Sequence, residues 1–299
     1  MMSFIETILG TVLPSFVIVI ISVFMALMTD FLFPTFARWT RMLLLIIVIT
    51  VALKPAFEHF VLIRDIAYTV SMMFIGIYPI LTASMIAAGG AFGLLNFQPA
   101  MLLFANGVVV LTQKLLIPLL TVALILDVST RLLPQIPFTR FADLIRTTLL
   151  GAVSAVVATY SIFITVGGTM SWALSGMTSE PIKELIQQNI PLIGSVMTDS
   201  IGAIGKYSSG VSIFVGGWVI SAIATIAIIP SLKTLFVALM YRGMAAIIEP
   251  FADEDLTGML DDIGKTLFVL CAISFLIAFA FIYTAMFSIV LVKLLTTMK

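Results

Sequence analysis

Three ionisable residues sit where the surrounding sequence is apolar or glycine-rich: Lys114, Asp199 and Lys206. A charge at the centre of a membrane helix costs roughly 2.5–3.5 kcal/mol on insertion. It is tolerated by snorkelling, by an opposite charge, or by water, and the last case describes an ion or solute path. Lys114 follows Gln113 inside an apolar run from 98 to 126. Asp127 is 13 residues on, about 20 Å along a helix, so these two do not pair along one helix. A second pattern adds Glu184 and Gln188. Glu180, Lys183, Glu184, Gln187 and Gln188 recur at helical spacing, opposite Ile182, Leu185 and Ile186. Ser179 suits the N-cap and Pro181 the first turn. Such an amphipathic helix lies at the membrane edge, lines a wet cavity, or docks a partner.

The other dense chemistry is acidic. Asp253, Glu254, Asp255, Asp261 and Asp262 crowd the stretch after Pro250, with Glu249 just before it. Calcium loops alternate oxygen ligands around a turn glycine, and this register is absent. The readings left are a solvated loop between membrane segments or a docking site for a partner. Pro250 breaks the preceding helix, and Asp253–Asp255 suit the start of a short helix running to Gly264. The chain has one histidine, His59, and one cysteine, Cys271, in an apolar run. Neither forms a metal cluster or an intrachain disulfide. No phosphate loop, HExxH, GxSxG or CxxC motif occurs. The expectation is a protein without catalysis and without a cofactor.

The elements that position these residues are membrane helices. Hydrophobic residues make up 61% of the chain and charged residues 10%, against about 25% charged in a soluble domain. Lys+Arg and Asp+Glu balance at 15 each, so no basic field for nucleic acid exists. Polar stretches are too short for a soluble module, so any ATPase must come from a partner. The predicted architecture is all-α and polytopic, with five to seven crossings. Candidate spans are 8–28, 42–62, 66–88, 98–126, 144–171, 208–229 and 263–292. The run 231–248 reads as a half-helix or the returning arm of a hairpin. No basic residue precedes Arg38, so 8–28 reads as a retained helix rather than a cleaved leader. Lys/Arg clusters at 38–41, 54–64 and 131–146 fall on alternating sides of a seven-span count. A re-entrant segment, 66–97 or 191–206, would resolve that conflict.

Two stretches read as copies of one unit. Pro79, Gly90, Gly93 and Pro118 fall on Pro191, Gly202, Gly205 and Pro230, each 112 positions on. Gly89 opens a G-x-x-x-G pair with Gly93, and Gly194 closes the "PLIG" run at Pro191. "DLIRT" at Asp143–Thr147 echoes "DIGKT" at Asp262–Thr266, now 119 positions apart. Repeat units of about 76–150 and 188–268 follow, with 1–65 outside them, all within one membrane domain. Paired interruptions of this kind are how many transport folds are built. These prolines and glycines are the candidate helix breaks and packing points, with Pro250. Asp199 and Lys206 fall on Ala87 and Leu94, so only the second copy is charged there.

The second half also resembles the stage III sporulation protein AE family. The matching points are Pro191 to Gly194, Asp199, Pro230 to Lys233, Tyr241, Ala245 to Pro250 and Ile263 to Leu267. The likeness runs over about residues 10–290. It implies a component of a multi-protein channel or secretion-like apparatus joining mother cell and forespore, in the mother-cell membrane around the forespore. Implied partners are sister membrane and ring-forming proteins, including an ATPase, and a forespore-side partner. The family pattern carries a leader and an extracytoplasmic segment before the first span, where this chain has about seven residues. The departure bears on the forespore-side contact more than on the membrane core. The resulting expectation is a non-catalytic channel or export-gate component, with a homo-oligomer as one way to build its pore. A self-contained secondary transporter would need several ionisable residues converging at mid-membrane. An assembly scaffold would tolerate neutral Lys114 or Asp199 but not changes in 249–262.

Overall fold

The structure is a computed structural model. It describes residues 2–32, 35, 37–87, 91–133, 138–174 and 211–297. The described residues are helical almost throughout, with no strand among them. In order they form α1 (Met2–Leu32), α2 (Ala37–Ala87), α3 (Ala91–Leu111), a π turn (Thr112–Leu116) and α4 (Ile117–Leu132). Then come α5 (Thr139–Leu174), α6 (Val211–Ile223), a second π turn (Ala224–Ile228), α7 (Ile229–Ile248) and α8 (Glu254–Thr297). Six helical runs are long and apolar enough to cross a membrane: Leu13–Leu32, Trp39–Pro79, Met101–Leu132, Thr139–Phe163, Gly217–Ile248 and Glu254–Phe287. Large apolar side chains such as Phe24, Leu103, Ile162 and Trp218 are exposed along them. Water would not tolerate so continuous an apolar exterior, but lipid does. The chain is an all-α polytopic membrane protein.

Several expected breaks are absent. Spans 42–62 and 66–88 are one helix, because Arg64 and Asp65 interrupt hydropathy but not backbone bonding. Pro79 lies within that same helix, so it is no break. Of the segment 66–97, residues 66–87 and 91–97 are helical. Segments 208–229 and 231–248 also join: Val211–Ile248 runs through Pro230 without turning back. Pro118 is passed in the same way. Each proline is absorbed by a π turn ending two residues before it. The helix begun at Glu254 does not stop at Gly264 but continues as the last span. Pro250 does break the chain: α7 ends at Ile248 and a turn follows. Gly93 lies in α3. Gly89, Gly90, Glu184, Gln188, Pro191, Gly194, Asp199, Gly202, Gly205 and Lys206 lie outside the described residues.

The chain divides into two compact units, each assembled from separate stretches. The first holds Met1–Ile66, Thr112–Ala152 and Ile229–Phe275, and the second Ala67–Leu111, Val153–Ile228 and Leu276–Lys299. In the second, Tyr160 is the buried centre. Its ring stacks on Phe104 at 4.6 Å and meets Phe279 edge-on at 6.3 Å. Its hydroxyl donates to the Ala280 carbonyl at 3.0 Å and contacts the Thr284 hydroxyl. Elsewhere in that unit Ser71 donates to Asn106 at 2.6 Å, and Phe74 packs on Phe281 at 5.3 Å. In the first unit α4 buries Ile117, Leu120, Ala123, Leu124, Asp127 and Thr130, a single helical stripe. The stripe ends in a carboxylate and a hydroxyl, and there the site begins.

Candidate functional site

The last turn and a half of α4 carries Asp127 and Arg131, four residues apart and hence on one face. The second turn of α5 carries Asp143 and Arg146. The Thr130 hydroxyl helps close the hairpin by accepting from the Phe138 amide at 2.9 Å. On α8, Asp261, Asp262, Lys265 and Thr266 occupy the second to fourth turns. These residues lie within about three turns of a helix end.

Arg146 is the hub. Its side chain is 5% exposed and that of Asp127 is 1% exposed. Nη2 of Arg146 pairs with Oδ2 of Asp127 and donates to the Thr266 hydroxyl at 2.9 Å and the Asp262 carbonyl at 3.3 Å. Nε donates to Thr266 at 3.1 Å, and Nη1 to Asp143 at 3.0 Å. Thr266 in turn donates to the Asp262 carbonyl at 2.9 Å. The planar fork of arginine is thereby spent on α4, α5 and α8 at once, which lysine cannot do. A second pair runs alongside. Arg131 donates to Oδ2 of Asp262 at 3.0 Å, and its Nη1 reaches the Glu254 carbonyl at 3.4 Å and Asp255 at 3.6 Å. Lys265 lies 2.9 Å from Asp261 and 3.5 Å from Asp262, and Arg242 of α7 donates to Asp261 at 3.1 Å.

Two glycines make this possible. A methyl at Gly258 would overlap the Arg131 guanidinium, so Arg131 lies across α8 only because that position is bare. A methyl at Gly264 would overlap the Arg242 stem and meet the Ala238 carbonyl at 3.1 Å. Gly258→Ala is expected to cost about 1 kcal/mol, as Arg131 shifts off Asp262. Gly243→Ala on α7, where a methyl meets nothing within 4 Å, should gain about 0.5–1 kcal/mol. Thermal midpoints of the two variants in one detergent check the opposite signs.

The site is chiefly made of residues that sequence reasoning used otherwise. Arg131 and Arg146 entered only as orientation charges, and Asp127 only as a failed partner for Lys114. The missed signal was the "DLIRT"/"DIGKT" echo. The motifs touch: Arg146 of the first bonds Thr266 and the Asp262 carbonyl of the second. Of the acidic candidates, Asp262 is buried and paired inside the chain, and Asp261 is bridged by Arg242 and Lys265. Asp253 meets Arg41 at 3.2 Å but is half-exposed, as is Asp255, and Glu254 is exposed in the first turn of α8. An open groove of about 560 Å³ runs beside them, lined by Arg242, Gly243, Ala246, Glu249, Gly258 and Asp261 among others. Lys114 is exposed in the first π turn, apart from this network.

His59, set aside as a lone histidine, is buried. Its Nδ1 lies 2.8 Å from the Pro55 carbonyl, so that nitrogen donates. Its Nε2 is buried with no partner among the described residues. Tyr241, a point of the family likeness, donates to the Ala52 carbonyl at 3.1 Å and ties α7 to α2. Along the α7–α8 seam, Ser231 and Ser274 share a 2.6 Å hydrogen bond, and the Cys271 thiol donates to the Ser231 carbonyl at 3.3 Å. Cys271 is therefore a packed seam residue.

Residues 4–292 match the sequence profile described as Stage III sporulation protein AE. The stage III sporulation protein AE of Bacillus subtilis (strain 168) is 26% identical over 204 residues, which is 68% of this chain and 51% of the relative. The chain spans about half the length of that curated relative. No solved structure matches. Because the profile covers nearly the whole helical membrane chain, and not its second half alone, the protein belongs to the stage III sporulation protein AE family.

Proposed function

We propose that this chain is the membrane channel or export-gate component of a multi-protein sporulation transport apparatus between mother cell and forespore. It acts without catalysis, in the mother-cell membrane around the forespore. The observation that carries the reading is the buried network on Arg146. Charges inside membrane spans are expensive, and they persist where they border a pathway or switch between partners. The buried Arg146–Asp127 pair and the partly buried Arg131–Asp262 pair join the ends of three helices in the first unit. Their exchange for water or for a partner's charge would free those ends, which is what a gate latch requires.

Partner recognition falls to the exposed part of the acidic turn: Asp253, Glu254 and Asp255, with Glu249. A basic surface on a ring-forming protein or the ATPase would complement it. Lys114 is the described pore candidate, and Asp199, Lys206, Glu184 and Gln188 are the others. Units 76–150 and 188–268 are proposed as repeat copies. In support, the π turns Thr112–Leu116 and Ala224–Ile228 are themselves 112 positions apart, each followed by Ile-Pro. The copies are used differently. The buried stripe of α4 falls on Ile229, Leu232, Phe236 and Leu239, which are exposed on α7. Those exposed side chains suit lipid or a second copy in a homo-oligomer.

The test is release of a small hydrophilic dye from vesicles holding the assembled complex, with and without this chain. Release is expected only when the chain is present. Equal release without it would remove the channel role and favour a scaffold. Release from vesicles holding the chain alone, driven by an ion gradient, would favour a secondary transporter.

A further inference from the structure

Many serine and threonine hydroxyls in this chain's helices return to the carbonyl four residues back. Thr50, Thr121, Thr130, Ser161, Thr225 and Thr234 all do so, at 2.8–3.0 Å. Thr112 does not. Its side chain is fully buried, and its Oγ1 has no hydrogen-bond partner among the described residues. Thr112 opens the first π turn. There the bonding frame slips from i+4 to i+5. Pro118 has no N–H to give, neither to the Gln113 carbonyl in the i+5 frame nor to the Lys114 carbonyl in the i+4 frame, both inside the same turn. The turn therefore gathers an orphan hydroxyl and carbonyls that Pro118 cannot serve, in an otherwise apolar run. Gln113 and Lys114 are its other polar residues.

We infer that the Thr112–Leu116 turn is a hydrated site within the membrane span, binding water and, through it, small hydrophilic solutes. The chemistry is complementary. The hydroxyl donates to or accepts from a water, and that water supplies the hydrogen that Pro118 does not. Buried waters sit where two or more polar groups lack partners, and membrane helices tolerate prolines where waters re-satisfy the freed backbone. The second π turn has no such hydroxyl: Thr225 is exposed and bonded to Ser221. The inference is confined to the first turn. It deepens the transport reading by naming a wet position on the path, and its test uses the purified chain alone. A failed labelling result and a failed dye-release result are then separate findings.

The experiment places single cysteines at Thr112, Leu116 and Leu120, all fully buried positions, in a Cys271→Ser background. A membrane-impermeant cationic thiosulfonate is added to the protein in vesicles, and labelling is followed by intact mass. Thr112→Cys is expected to label at least about tenfold faster than Leu116→Cys and Leu120→Cys, since only a hydrated thiol ionises. Labelling of Thr112→Cys no faster than Leu120→Cys would overturn the inference. Thr112→Val gives a second readout without a cysteine. Loss of a hydroxyl that holds water should lower the thermal midpoint by about 2–4 °C, with Thr112→Ser close to the parent. An unchanged or raised midpoint in Thr112→Val would mean a dry orphan hydroxyl, and the site would be withdrawn.

Discussion

Replacing Arg146 with methionine is expected to destabilise the chain by about 3–5 kcal/mol. The loss comes less from the bonds removed than from what stays behind. Asp127, with a side chain 1% exposed, would keep its charge or take up a proton with no cation facing it. Thr266 would lose both hydrogen bonds from the guanidinium. Asp127→Leu alone should cost a similar amount, because Arg146 would then be buried with only exposed Asp143 as its counter-charge. The double variant is the sharper case. With both charges gone and apolar groups in their place, the loss should shrink to about 1 kcal/mol or vanish, since a buried pair gains little over a well-packed apolar one. Equilibrium unfolding in mixed detergent measures all three. Losses that simply add in the double variant would show that the two residues do not act as a pair.

Gly264→Ala is the second large effect, at about 1–3 kcal/mol of overpacking. The added methyl meets backbone, the Ala238 carbonyl at 3.1 Å and the Arg242 nitrogen at 3.2 Å, as well as the Arg242 stem. A side chain can swing aside, but a helix backbone cannot without moving the helix. Separating α7 from α8 there would loosen the Arg242–Asp261 bridge and stretch the Ser231–Ser274 bond further along the seam. The thermal midpoint should fall by several degrees while Gly243→Ala holds or gains. A Gly264→Ala protein as stable as the parent would mean that the two helices already stand apart.

The helical membrane architecture was legible in the sequence, since 61% hydrophobic content leaves no soluble alternative. Helix boundaries were less so. Hydropathy marks where charges fall, and a helix such as α2 carries Lys54, Glu58, Arg64 and Asp65 on exposed positions without breaking. Prolines misled in the same way. Pro118 and Pro230 read as breaks by their missing N–H, but a π turn absorbs each within a continuous helix. Nothing in single-residue propensity distinguishes that outcome from a kink. Pro250 did end a helix, where it is followed by Asp253 and a fresh acidic N-terminus.

The site was legible only as an echo. The Asp-x-x-Arg-Thr and Asp-x-x-Lys-Thr motifs were visible, but no sequence rule says that Arg146 crosses to Thr266, 120 residues away. Intramembrane charges were sought where they looked most isolated, at Lys114. The charges that are buried and paired lie nearer helix ends, where each looked like an ordinary interfacial residue. Gly258 carried the hint, as a glycine near the start of a helix without a turn to make. Its reason is the Arg131 side chain lying over it.

The most direct measurement of the central claim, that the Arg146 network is the latch of a transport gate, is flux through the Asp127→Leu, Arg146→Met double variant. The variant should fold, so its behaviour reports gating and not loss of protein. Assembled with its partners in vesicles, it is expected to release a small hydrophilic dye several-fold faster than the parent in the resting state. A folded, assembled double variant with parental dye release would contradict the claim and leave the network as packing alone.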